Sequence, residues 1–113
     1  MKKAKQLTKQ IDEALLLDFY GQLLTDKAYE IADLHINEDM SLSEIAENLC
    51  ISRQAVHDSL QRSMNALNKY EDKLGLAQRF LDQRTVAANA LRKLDSGDTQ
   101  AVRREILRLI NII

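Results

Sequence analysis

Apolar residues recur at steps of three and four along most of the chain, the spacing that lines up one face of a helix. Thr8 is a candidate cap for a first helix in which Ile11, Ala14, Leu15, Phe19 and Leu23 share that spacing, weakened at Gly21 and ending by Thr25. Thr25 then caps a second helix, DKAYEIADLHI, with Asp26 suited to its positive start. Ala28, Ile31, Ala32 and the segment Leu34 to Ile36 form its apolar side, and it stops around Asn37 to Asp39. In SLSE, Ser41 and Glu44 stand three apart and form a capping box, so a third helix starts there, with Leu42, Ile45, Ala46 and Leu49 inward. After the turn NLCIS, Ser52 caps a fourth helix whose Val56, Leu60, Met64 and Leu67 share a face with Ser63 beside them.

Beyond Leu67 the fourth helix can run to Gly75, a candidate C-cap. A long helix follows over GLAQRFLDQRTVAANALRKL, with Leu76, Phe80, Ala87, Leu91 and Leu94 expected to be buried. DSGD, from Asp95 to Asp98, is the clearest turn, and Asp98 caps a last helix carrying a broad apolar stripe of Val102, Ile106, Leu109, Ile110 and Ile113. So much apolar surface at a chain end calls for a partner, and two-fold pairing is the commonest assembly. The expectation is an all-α protein, with a helix-turn-helix domain over residues 1–72 and a helical C-terminal extension over 73–113 that dimerises.

Composition agrees with helices: no proline, three glycines and 45% apolar residues leave little turn chemistry for hairpins. At 113 residues the chain has room for one domain with a helical appendage. A lone cysteine, Cys50, gives no support to an oxidising compartment. The start MKKAKQLTKQIDE lacks the unbroken apolar run of a signal peptide, and no stretch approaches the ~20 apolar residues of a membrane span, so the expected location is cytoplasmic, with no membrane partner.

The net charge of −1 hides an uneven spread. Lys2, Lys3, Lys5 and Lys9 make the first nine residues basic, residues 10–51 carry ten acids against Lys27, and residues 73–113 carry eight bases against four acids. DNA binders draw most of their affinity from lysine and arginine at phosphates, so an acidic middle implies weak, salt-sensitive binding unless the ends or a second subunit contribute.

Two short helices joined by NLCIS have the shape of a helix-turn-helix. Ala46 fits their close crossing, where a bulkier side chain would force them apart, and Ile51 plugs the core between them. Many such turns carry glycine where this chain has Cys50, because the backbone there takes positive φ, at a strain of ~1 kcal/mol for other residues. Capped by Ser52, the fourth helix presents Arg53, Gln54, His57, Asp58, Gln61 and Arg62 on the face opposite its core stripe, the face that enters the major groove. Arg53 suits guanine, Gln54 adenine and Arg62 a phosphate. Asp58 would repel phosphates, although a carboxylate can accept from cytosine.

The stretch TDKAYEIADLHINEDMSLSEIAENLCISRQAVHDSLQRSMNAL resembles the fourth conserved region of bacterial sigma factors, which reads a promoter element by a helix-turn-helix. The blocks DFYGQLLTDK (Asp18 to Lys27), SLSEIAE (Ser41 to Glu47) and SRQAVHD (Ser52 to Asp58) resemble the YlxM family of small bacterial proteins. That resemblance implies a sigma-region-like helical fold and a regulatory link to the signal recognition particle pathway, inferred from members being encoded beside the particle's protein or its receptor. The ligand it implies is duplex DNA, the particle's RNA or its protein.

Each candidate has a plainer reading. Arg53, Gln54 and Arg62 also suit an ordinary solvated face, and Cys50 suits a small packed side chain better than a reactive thiol. Asp26, Glu30, Asp33, Glu38 and Asp39 could dock a basic partner or simply be solvated. His35 and His57 stand 22 residues apart with no second Cys or His near either, which speaks against a metal site. There is no glycine-rich phosphate loop or nucleophile elbow, so no cofactor and no enzymatic activity are expected. Two functions remain: a dimeric DNA-binding regulator, or a protein- or RNA-interaction module acting on the signal recognition particle and its GTPases.

Overall fold

A computed structural model of the chain describes residues 11–112; Thr8, the four N-terminal lysines and Ile113 lie outside that range. Described residues form helices α1 (Glu13–Tyr20), α2 (Asp26–Ile36), α3 (Leu42–Leu49), α4 (Arg53–Leu74), α5 (Leu76–Asp95) and α6 (Thr99–Ile112). A 3-10 turn, Gly21–Leu23, follows α1, and there is no strand among the described residues. The all-α expectation holds. None of these helices is long and apolar enough to cross a membrane.

The starts of the helices follow their local chemistry. Asp12 caps α1, accepting from the Ala14 N–H at 3.0 Å. Thr25 caps α2 through the Ala28 N–H at 3.2 Å, Ser52 caps α4 through Ala55 at 3.0 Å, and Asp98 caps α6 through Ala101 at 3.0 Å. Each such bond satisfies an N–H that has no partner inside its helix and is worth about 1 kcal/mol. Gly75, at φ 64°, closes α4, with its N–H donating to the Glu71 carbonyl at 2.8 Å.

Two compact units divide after Gly75. In the first, α4 is the hub on which α1, α2 and α3 all pack. Its core joins Leu16, Leu17 and Tyr20 of α1, Ile31 and Ala32 of α2, Ile45 and Ala46 of α3, and Val56, Leu60 and Leu67 of α4. Full burial of each large apolar side chain is worth about 1.5–3 kcal/mol. Tyr20 ties α1 to the far end of α4, its hydroxyl donating to Glu71 Oε1 at 2.5 Å and its ring lying 5.9 Å from that of Tyr70.

Here the inward phase of α1 differs from the expected one. Ile11, Ala14, Leu15 and Phe19 are only half-buried and Leu23 is 54% exposed, because Leu16, Leu17 and Tyr20 take the buried positions of the helix, which tightens at Gly21.

The second unit is the hairpin of α5 and α6 around the Asp95–Asp98 turn, where Gly97 takes φ 81°. Its buried side chains are Ala77, Val86 and Ala101. The expected burial of Ala87, Leu91 and Leu94 is overturned, since all three are exposed, and Leu76 and Phe80 are only partly covered. On α6, Val102 and Leu109 are half-buried while Ile106 and Ile110 face solvent. Ala77, Val86 and Ala101 are the side chains that disappear from solvent, so these helices turn a different face inward than the large apolar residues suggest.

Candidate nucleic-acid interface

Helix α3 opens on the reciprocal bonds of a capping box: Ser41 Oγ accepts from the Glu44 N–H at 3.1 Å, and Glu44 Oε1 accepts from the Ser41 N–H at 2.8 Å. Ile45 is fully buried and Ala46 nearly so, while Leu42 and Leu49 are half-buried at the edges. The helix closes at Cys50, which adopts the left-handed conformation at φ 58°, ψ 44°. The Cys50 N–H donates to the Glu47 carbonyl at 3.4 Å and the Ile51 N–H to the Ala46 carbonyl at 3.0 Å. These paired bonds are a Schellman closure, which ordinarily carries glycine.

The closure sets what comes next. It leaves Ile51 half-buried beside Ala46's end of the helix and delivers Ser52 to cap α4. It also corrects one expectation: Cys50 is exposed, not packed, because the left-handed residue of this turn projects its side chain to solvent.

From that cap α4 runs outward with Val56, Leu60, Ser63 and Leu67 buried on one side and Met64 half-buried beside them. Ser52, Arg53, Gln54, His57, Asp58, Gln61 and Arg62 are all exposed. Arg53, His57 and Gln61 succeed one another at steps of four, with Gln54 and Asp58 in the adjoining row, so five side chains form one continuous patch and Arg62 stands at its edge. Among the described residues neither Arg53 nor Arg62 forms an ion pair.

Two of these groups are joined. Gln54 Nε2 donates to Asp58 Oδ1 at 2.9 Å, and His57 Nδ1 lies 3.5 Å from the same oxygen. The Gln54 bond, then that of His57, with the nearby charges of His57 and Arg62, holds the Asp58 carboxyl below the usual carboxylate range. The patch therefore keeps a negative charge at its centre at neutral pH. Taken from the sequence, Gln54 and Asp58 are separate base contacts; the signal that links them is the spacing of an amide and a carboxylate four residues apart on a helix.

His35 takes no part in this patch: its Nδ1 lies 2.9 Å from the Met40 carbonyl oxygen, at the turn between α2 and α3. No three His, Cys, Asp or Glu side chains among the described residues gather to hold a metal ion.

Residues 7–108 match the family model described as "Putative helix-turn-helix protein, YlxM / p13 like". Similar proteins include a UPF0122 protein of Acetivibrio thermocellus, 45% identical over 104 residues that make up 92% of this chain and 89% of that protein. Another, from Symbiobacterium thermophilum, is 41% identical over 96 residues, 85% of this chain and 90% of its own. A third, from Desulforamulus reducens, is 43% identical over 85 residues, 75% of this chain and 73% of that protein. The description is of helix-turn-helix proteins and not of an enzyme family.

Proposed function

Because the chain belongs to the YlxM / p13-like helix-turn-helix family, we propose that it is a non-enzymatic regulator that binds duplex DNA through the first half of α4, working as a two-fold pair. The observation that carries this reading is the exposed patch from Arg53 to Arg62, set on a helix whose start is fixed by the Cys50 turn and the Ser52 cap. A recognition helix enters the major groove by its N-terminal half, and these side chains occupy that half. Arg53 is suited to guanine and Arg62 to a phosphate. The bond to Asp58 uses one of the two N–H donors of Gln54, and the remaining N–H together with the carbonyl oxygen is the pair that adenine requires.

In this reading the second unit is the pairing surface. Leu91, Leu94, Ile106, Leu107 and Ile110 are exposed there at 47–61%, a set of large apolar side chains that a second copy would cover. Pairing doubles the number of phosphates met by one assembly, which offsets the acidity of residues 10–51.

That acidity, with Asp58 inside the patch, favours a second reading. The same fold then serves as a protein- or RNA-interaction module that modulates the signal recognition particle and its GTPases without reading DNA. Both readings have the protein act in the cytoplasm. The discriminating experiment is binding to random duplex DNA, to the particle's RNA and to its protein across a salt series. DNA binding with a steep salt slope supports the first reading; binding to the protein alone, with little salt dependence, overturns it.

A further inference from the structure

The block Asp18 to Lys27, on which the family resemblance partly rests, lies outside the recognition helix, yet it builds a cleft of about 580 Å³ in the first unit. Leu17, which is buried, and Leu24, which is half-buried, give the cleft its apolar lining. Tyr29 lines it as well, and its ring is drawn in by Gly21: a Cβ at that position would stand 2.8 Å from Tyr29 Cε1, closer than side chains tolerate. Glycine is needed at 21 for this close approach, not for its backbone freedom, since φ there is an ordinary −58°. The polar lining comes from Asp18, Asp26 and the amide of Gln22, all exposed.

No lining residue is basic, and among the described residues neither Asp18 nor Asp26 forms an ion pair. Two carboxylates therefore share an aromatic and apolar cleft without a cation. We propose that this cleft binds an arginine side chain from a basic segment of a partner protein. The methylene stem matches the leucine lining, the planar guanidinium matches the Tyr29 ring, and its five donors suit two carboxylates better than a point-charged ammonium would. The surrounding charge acts in the same direction, because residues 10–51 carry ten acids against a single lysine and so attract basic segments over a longer range. None of the lining residues belongs to Ser52–Arg62, so the site stands whether or not α4 reads DNA.

The test is a titration of the full, isotope-labelled chain with the capped dipeptide N-acetyl-Arg-Arg-amide, followed by amide chemical shifts, with the uncharged citrulline dipeptide as control. Shifts concentrated at Gly21, Gln22 and Leu24, given by the arginine peptide and not by citrulline, are the expected result. Asp18→Asn with Asp26→Asn should weaken binding about tenfold while leaving the helical spectrum unchanged, and Glu30→Gln, on α2 but outside the cleft, should leave binding as it was. Equal shifts with citrulline, shifts scattered over the acidic surface, or affinity indifferent to the Asp18 and Asp26 changes would each overturn the proposal.

Discussion

Cys50 stands where α3 must reverse into α4, and with Asp39 it is one of two described non-glycine residues of the first unit held at positive φ. A side chain with a Cβ is disfavoured there by about 1–2 kcal/mol, while glycine adds flexibility to the unfolded chain, so Cys50→Gly should raise stability by a net ~0.5–1 kcal/mol. Urea unfolding measures this, and a loss of stability would mean that the turn holds Cys50 without strain. Ala46, 8% exposed at the crossing of α3 and α4, makes the opposite case. Ala46→Leu should overpack the crossing and destabilise by about 1–3 kcal/mol in the same assay; an unchanged midpoint would mean that the helices do not depend on a small residue there. Both positions were legible in the sequence, because positive φ after NL and a small residue at a helix crossing are local signatures. The exposure of the Cys50 thiol was not, since it depends on which way the closed turn points its side chains.

Among the elements, the starts of α2, α3, α4 and α6 were readable because a cap is settled within four residues: Thr25, Ser41, Ser52 and Asp98 each hold the N–H that their spacing offers. The phase of α1 was not, because Leu15, Leu16 and Leu17 follow one another and apolar spacing alone fits more than one face. The expected inward positions of α5 share a face that is covered only in part, at Leu76 and Phe80, for periodicity reports which residues align and not whether anything packs on them. On α4 the inward stripe and the outward patch were both legible, while the Gln54–Asp58 bond gives that patch a test of sign. Asp58→Asn removes a negative charge from a face proposed to meet phosphates, so non-specific DNA binding should strengthen, most at low salt. The native carboxyl is held below its ordinary range, so it stays ionised wherever an ordinary aspartate would, and the gain should persist as the pH falls from neutral toward the ordinary carboxylate range. By linkage, any stability that this depressed group lends is present above its unfolded pKa and lost only as pH falls through the lower folded value. Anisotropy titrations of duplex DNA check this, and weaker binding by the asparagine variant would place the patch away from phosphates.

For the whole molecule, the second unit carries the proposal of pairing. Ile106 and Ile110 are 47% and 60% exposed within one chain, so aspartate at both positions should leave α6 folded while making a paired apolar surface untenable. Light scattering should then report half the wild-type mass at unchanged helicity; an unchanged mass would take these residues out of the subunit interface. The overall helical class was legible from composition and spacing, whereas the partner was not, because an exposed stripe does not name what covers it. The central claim, that the first half of α4 reads DNA, is tested most directly with Arg53→Ala/Gln54→Ala. Both side chains are exposed, so the fold should survive, and the affinity for duplexes selected by the wild-type protein from a random pool should fall by about 1–3 kcal/mol for each base that either side chain grips in bidentate fashion. A folded double variant that binds those duplexes as tightly as the wild type would contradict it.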